Sequence, residues 1–308
     1  MRAIILAAGF GTRLGGLSDE RPKPLLPVCD IPLIRYAVAL LRGHGVDEIA
    51  VNLHHHGDQI ERELGPGFFY SREETILGTG GGLRRIADWL TQNGTDSFLV
   101  VNGKILIDAD VSLVMHRHRE RDAAATMVLR ETADAAKWGA IEVGDDGRVT
   151  KILDAGSPGA HVCMFTGVHC LAPRLVARLP ASGESDSIRQ AYIPALRDGD
   201  RIEGIRYAGY FHEHSTPARY LEGNWNVLRG RARLTHPPGP PVHISPSALV
   251  DGAAVIGDDV VVGARCQVGP RARLDRVVMW PDSRVDEPLT DAIVTPRGIH
   301  RVGGNDGR

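Results

Sequence analysis

Residues Met1–Val28 read MRAIILAAGFGTRLGGLSDERPKPLLPV, and the reading of this stretch decides the fold. Ala3-Ile4-Ile5-Leu6-Ala7-Ala8 is a short unbroken apolar run, the pattern of a parallel strand buried on both faces. It leads into Gly9-Phe10-Gly11-Thr12-Arg13, where glycines let the backbone approach a ligand and aim successive N–H groups at anionic oxygens. Arg13 adds a planar fork suited to phosphate. Lys23 follows between Pro22 and Pro24, which fix the backbone on both sides of it. Strand, glycine turn, arginine and stiffly mounted lysine together predict a polyphosphate site. The stretch is neither a Walker A loop, which ends in Gly-Lys-Ser/Thr, nor the dinucleotide fingerprint Gly-x-Gly-x-x-Gly.

Working outward, apolar periodicity predicts a helix over Ile31–Gly43, stopped by glycine, and then a strand over Glu48–Asn52. His54-His55-His56 is read as a polar strand-end loop, because neighbours in sequence rarely converge on one metal ion. A helix over Gly57–Leu64 and a strand over Phe68–Ser71 precede a second glycine loop, Glu73-Glu74-Thr75-Ile76-Leu77-Gly78-Thr79-Gly80-Gly81-Gly82-Leu83. That loop is expected to open onto a helix from Leu83 to Leu90, whose N-terminus would favour an anion. Further strands are expected at Ser97–Val101 and Ala124–Arg130, with a helix at Ser112–Arg121 between them. Strands are also expected at Trp138–Glu142 and Val149–Leu153, joined by the turn Asp145-Asp146-Gly147, and at Phe165–His169. Thr216 and Pro217 read as the N-cap and first residue of a helix. The βα alternation predicts an α/β fold, a Rossmann-like and mostly parallel sheet with ligands at the carboxyl ends of its strands.

Pro237-Pro238-Gly239-Pro240-Pro241 reads as a linker. Beyond it Ile244, Val250, Ile256, Val262, Val268 and Leu274 recur every six residues, and Trp280 takes the next slot. Hexads of this kind stack into a short left-handed parallel β-helix. So few coils need a further surface: the main domain, a second subunit or both. The expected division is 1–235 for the α/β domain, 236–242 for the linker, 243–300 for the β-helix and 301–308 for a disordered tail.

A chain of 308 residues with a formal charge of −2 gives no electrostatic reason to expect nucleic acid as a partner. Cys29, Cys163, Cys170 and Cys266 lack metal-ligand spacing and are expected as reduced thiols. With no apolar run of membrane-spanning length and no leader before the first strand, the expectation is a cytoplasmic protein.

The pairing of Leu6-Ala7-Ala8-Gly9-x-Gly11-Thr12-Arg13-Leu14 with Pro22-Lys23-Pro24-Leu25-x-Pro27-Val28 resembles the signature of the sugar-1-phosphate nucleotidylyltransferases. The Leu77-Gly78-Thr79 loop and Ser215-Thr216-Pro217 extend that resemblance over most of the chain. It implies an enzyme in which the phosphate oxygen of a sugar 1-phosphate attacks the α-phosphorus of an NTP and pyrophosphate leaves. Arg13 would hold the triphosphate and Lys23 would stabilise charge at the reacting phosphates. Leu6, Ala8, Gly9, Gly11, Thr12, Glu73, Gly78, Thr79 and Asn102 would bind the nucleotide, and Gly139, Asp154 and Thr166 the sugar phosphate. A carboxylate at Glu73 can accept from the two adjacent N–H groups of guanine. That residue reads either as such a contact or as an exposed acidic turn; the resemblance favours GTP with mannose 1-phosphate, followed by glucose 1-phosphate with UTP or dTTP. Within the family the look is nearest the mannose-1-phosphate guanylyltransferases. The resemblance and the exposed β-helix also imply a homo-oligomer.

Three positions depart from the family pattern. Family members hold Mg²⁺ with an Asp after the central strand and a second Asp before Gly-Thr-Pro; this chain has Lys104 and Glu213 there. A charged lysine has no lone pair and cannot ligate the ion, whereas Glu213 could still ligate it with a longer reach than Asp. Ammonium and carboxylate at these positions could form an ion pair. The family's Glu-Lys-Pro lysine corresponds to Ala155. Two classes of function follow: a working nucleotidylyltransferase, or a catalytically impaired relative that binds nucleotide or NDP-sugar and regulates a partner.

Overall fold

A computed structural model of the chain describes residues 1–94, 96–154, 157, 160–232 and 242–303. Interleaved parts of the sequence build two compact units. The first holds Met1–Phe10, Ala37–Ile105 and Ala109–Gly209; the second holds Gly11–Tyr36, Leu106–Asp108 and the chain from Tyr210 onward.

In the first unit, nine strands form one sheet: β1 (Arg2–Leu6), β2 (Glu48–Leu53), β3 (Phe69–Arg72), β4 (Phe98–Asn102), β5 (Ala125–Glu131), β6 (Ile141–Val143), β7 (Val149–Ile152), β8 (His161–Leu171) and β9 (Ile202–Arg206). Their order is β7-β6-β8-β4-β1-β2-β3, with β5 pairing both β8 and β9. β1 runs parallel to β2 and β4, β2 parallel to β3, and β5 parallel to β9. The long strand β8 is antiparallel to β4, β5 and β6. Ala3, Ile4 and Ile5 have no exposed surface, as expected of a strand flanked by parallel neighbours. Helices α1 (Leu33–Gly43), α2 (Gly57–Leu64), α3 (Gly78–Arg85) and α4 (Val111–Glu120) alternate with the first strands along the chain. The Rossmann-like, mostly parallel sheet read from the sequence is the one observed.

Two expectations are corrected here. The expected glycine loop ends at Leu77: Gly78 to Gly82 are the first residues of α3, and a second short helix covers Ala87–Thr91. Glycine's low helix propensity is overridden by packing. A Cβ at Gly80 would lie 2.5 Å from Ser185 Oγ, and one at Gly81 would lie 2.6 Å from the Gly183 carbonyl oxygen. Only a bare helix face lets this backbone in. Gly80 N–H donates to Ser185 O at 2.8 Å and Ser185 N–H to Leu77 O at 2.9 Å, which ties the helix start to its neighbour. Second, Ala135–Trp138 is a 3₁₀ turn, so the strand expected from Trp138 begins only at Ile141.

The second unit opens with two 3₁₀ turns, Thr12–Leu14 and Lys23–Leu25, and a two-residue hairpin between Pro27–Val28 and Ile31–Pro32. Cys29 and Asp30 occupy the turn with φ of 47° and 68°, the left-handed pair that matches strand twist. Ile31 therefore belongs to the hairpin, and the helix expected from it starts at Leu33. Helix α5 (Pro217–Leu228) begins as read: Thr216 Oγ1 accepts from Arg219 N–H at 3.3 Å, with Pro217 next.

The C-terminal strands pair in parallel up to 288–295, consistent with a β-helix, and Gly298–Arg301 closes them with an antiparallel hairpin. The first coil has β10 (Val242–Ile244), β11 (Leu249–Val250) and β12 (Val255–Ile256); the second has β13 (Val260–Val262), β14 (Gln267–Val268) and β15 (Arg273–Met279). Val242 lies beside Val260, Leu249 beside Gln267 and Val255 beside Arg273, each eighteen residues on, or three hexads per coil. The next step shortens: Gln267 pairs Arg284 and Arg273 pairs Pro288. That shortening ends the hexad pattern. Asp259, Arg265, Arg276, Asp282 and Asp291 turn with positive φ.

The surface that steadies these few coils lies within the same unit. Leu14, Leu17, Leu26, Leu33, Tyr220, Leu228, Val261, Val278, Trp280 and Ile293 share one buried cluster. Trp280 Nε1–H donates to Tyr220 Oη at 3.0 Å, and Tyr220 in turn donates to Pro27 O. Asn224 Oδ1 accepts from Cys29 N–H at 2.8 Å, and Asp30 Oδ1 accepts from Ala264 N–H at 3.1 Å. Most of the expected linker 236–242 and the tail beyond 303 lie outside the described residues, as does Ala155. No helix among the described residues is long and apolar enough to cross a membrane.

Candidate functional site

In the first unit, the expected nucleotide residues gather at the carboxyl ends of β1, β2 and β4. Asn52, last but one on β2, ties them together. Its Oδ1 accepts from Ala7 N–H at 2.7 Å, and its Nδ2 donates to Glu73 Oε1 at 2.8 Å. Glu73 is buried, and its Oε2 accepts from Leu77 N–H at 3.0 Å. His54 Nδ1 donates to the Glu73 carbonyl at 2.9 Å, which engages part of the histidine run in holding this strand end. Each Glu73 oxygen thus holds one protein donor and keeps further lone-pair directions. The end of β1, the end of β2 and the start of α3 are braced by one carboxylate and one amide. The sequence reading missed Asn52; its only signal was a polar residue closing an apolar run.

Asn102 ends β4, and Gly103 N–H donates to Leu6 O at 2.9 Å, seating the Asn102-Gly103-Lys104 turn on the end of β1. Gly167 has a φ of 87°, and a Cβ there would lie 2.2 Å from Asn102 Nδ2. Thr166, beside it, is buried and donates to Val128 O at 2.8 Å. Thr79 lies in α3 and its Oγ1 accepts from Ser187 N–H at 3.0 Å. Ala8 is buried, Leu6 half-buried and Gly9 exposed, with nothing within 4 Å of where a Cβ would stand. Gly139 turns at a φ of 83° against Leu153. Asp154 lies 3.8 Å from Lys151 Nζ, which is also 3.9 Å from the fully buried Glu142. Lys151 and Glu142 were likewise missed; cross-strand pairing on a β-hairpin brings them together.

In the second unit, Gly11 turns at a φ of 72° into the 3₁₀ turn that carries Thr12 and Arg13. A Cβ on Gly11 would stand 3.5 Å from the Lys23 Cβ, so the glycine turn and the lysine mount are neighbours. Lys23 is 7% exposed, and Pro22 is extended before it at φ −63° and ψ 146°. Arg13 is 57% exposed, with its guanidinium 3.6 Å from Oε1 of the buried Glu213. His212 donates from Nε2 to Arg219 O at 2.7 Å, and burial pushes its pKa down, keeping the ring neutral. Gly223 of α5 makes room for the histidines flanking Glu213: a Cβ there would lie 2.2 Å from His214 Nε2.

These residues do not fit a magnesium ion held by two carboxylates. Lys104 brings no lone pair, and Glu213 lies against a guanidinium. Among the described residues no three His, Cys, Asp or Glu side chains form a metal-binding group.

The chain is similar to several known proteins. The family profile described as nucleotidyl transferase matches residues 2–169. The chain is 29% identical over 299 residues to a mannose-1-phosphate guanylyltransferase of Mycobacterium tuberculosis, covering 92% of this chain and 81% of that protein. It is 30% identical over 205 residues to a UTP–glucose-1-phosphate uridylyltransferase of Synechocystis, covering 60% and 53%. Among solved structures, HddC from Yersinia pseudotuberculosis superposes with a TM-score of 0.59 at 22% identity, over 72% of this chain and 97% of that one. A putative glucose-1-phosphate thymidylyltransferase from Bacillus anthracis gives 0.61 at 20% identity, over 73% and 94%. With the profile spanning more than half of its length, this chain belongs to the nucleotidyl transferase family of enzymes.

Proposed function

We propose that this chain transfers a guanylyl group from GTP to mannose 1-phosphate. A phosphate oxygen of the sugar phosphate attacks the α-phosphorus, the bond to the β-phosphate oxygen breaks, and pyrophosphate departs. The observation that carries the reading is the Gly11-Thr12-Arg13 turn packed against the buried, proline-held Lys23, which sets two cations on neighbouring turns. In phosphoryl transfer such placement of charge is the principal contribution of the protein. Arg13 holds the β- and γ-phosphates, and Lys23 stabilises charge developing at the α-phosphate. Glu73, braced by Asn52 and Leu77, accepts from guanine with its remaining lone pairs. Similarity to a mannose-1-phosphate guanylyltransferase over most of both chains supports the choice of substrates, with glucose 1-phosphate and UTP as competitors.

The second reading, a catalytically impaired binder, is favoured by Lys104 at the metal-aspartate position and by the pairing of Glu213 with Arg13. Pyrophosphate release from GTP and mannose 1-phosphate, measured with and without Mg²⁺, separates the two. Turnover by the chain as it stands, reduced about 100-fold or more in Arg13→Ala, supports the enzyme. An inert chain that Lys104→Asp restores to turnover supports the impaired binder.

A further inference from the structure

A cavity of about 700 Å³ opens at the other end of the strands of the first unit's sheet, where β4 and β5 begin and β8 ends. Asn102 and Glu73 lie at the opposite ends of the strands. Its polar lining includes Asp96, Ser97, His118, Arg119, Asp122 and Arg174, with Thr91 beside them. Their charges are unevenly committed. Arg174 pairs with Asp122 at 3.1 Å and also donates to its carbonyl. The Arg119 side chain, exposed in the last turn of α4, has no hydrogen bond or ion pair among the described residues, and neither does Asp96. His118 is buried behind them, with Nδ1 3.1 Å from Thr126 Oγ1. Its pKa falls to about 4, first through burial and then through the positive charge of Arg174, so the ring is neutral. Ser97 is buried and bonded to Cys170. The apolar lining is small: Ala123, Ala172 and Pro173.

We propose that this cavity is a second ligand site, for a phosphomonoester carried on a polyhydroxyl body, that is, a sugar phosphate. An uncommitted guanidinium, with a second one 45% exposed beside it, suits a phosphate dianion. An uncommitted carboxylate suits sugar hydroxyls, which donate to it. No Phe, Tyr or Trp is among the described lining residues, which argues against a nucleobase, and the arginine on Asp122 argues against a cation. The volume is that of an ordinary small-molecule site.

The test is calorimetric titration of the whole chain with mannose 6-phosphate, inorganic phosphate and mannose, independent of turnover. Mannose 6-phosphate should bind, and Arg119→Gln should weaken it about tenfold or more, the worth of a charge-assisted hydrogen bond. Asp96→Asn should weaken mannose 6-phosphate while leaving inorganic phosphate unchanged. Arg13→Ala should leave mannose 6-phosphate binding intact. Absence of binding up to about 10 mM overturns the site, as does binding indifferent to Arg119→Gln. Binding lost with Arg13→Ala assigns it to the polyphosphate end instead. Inorganic phosphate binding as tightly as the sugar phosphate overturns recognition of the sugar body.

Discussion

Gly9-Phe10-Gly11 and Gly78–Gly82 look alike as text and behave as opposites in the fold. In the first stretch glycine serves conformation and access: Gly11 takes a left-handed φ of 72°, and Gly9 faces open space. In the second it serves packing: Gly80 and Gly81 sit inside a helix pressed onto Gly183–Ser185. The first kind leaves room for something outside the chain; the second has already filled that room with the chain itself. A glycine-rich stretch after a strand is thus two different signals, and only the surroundings tell them apart.

Alanine substitutions sharpen the contrast. Gly81→Ala carries the largest expected loss of stability. Its Cβ would meet the Gly183 carbonyl at 2.6 Å and the Leu77 Cβ at 2.8 Å. Overpacking of about 3 kcal/mol, offset by about 1 kcal/mol of helix propensity, leaves about 2 kcal/mol. A lower urea midpoint at unchanged slope would show it, whereas an unchanged midpoint would mean that the helix face is not tightly packed. Gly11→Ala comes next, at about 1 kcal/mol for a side chain held at left-handed φ, together with a fall in GTP turnover. Gly9→Ala should shift stability by no more than about 0.5 kcal/mol, as surface substitutions do. Its KM for GTP should nevertheless rise several-fold, because the new methyl enters the open space. A Gly9→Ala protein that is unstable but turns over normally would break the comparison.

Local pattern carried much of the fold into the sequence. The run Ala3–Ala8 announced the central strand, Thr216-Pro217 the start of α5, and six-residue spacing the parallel coils. What stayed hidden depends on residues far apart in sequence. Nothing near Gly80 foretells Ser185, and nothing near Ile31 says that Asn224 will hold the Cys29 turn. Among the candidate site residues, Arg13, Lys23 and Glu73 stand out in the sequence because their residue types state their chemistry. Asn52 was not, since an amide at a strand end matters only once Ala7 and Glu73 are beside it. The first coil was also misjudged by periodicity alone. Ile244, in the hexad's apolar slot, is 43% exposed, while Val262, one coil later, is buried.

The hydrogen bonds of the second unit impose an order on the making of the protein. Tyr220 holds Pro27 from 193 residues away, and Trp280 holds Tyr220 from a further 60. At roughly 5–20 residues per second, the segment carrying Arg13 and Lys23 waits some 15–50 s after leaving the ribosome for the coils that steady it. The coils around Trp280 are therefore the ones that steady a loop made well before them. A chain cut short before Trp280 would lack the support for its own beginning.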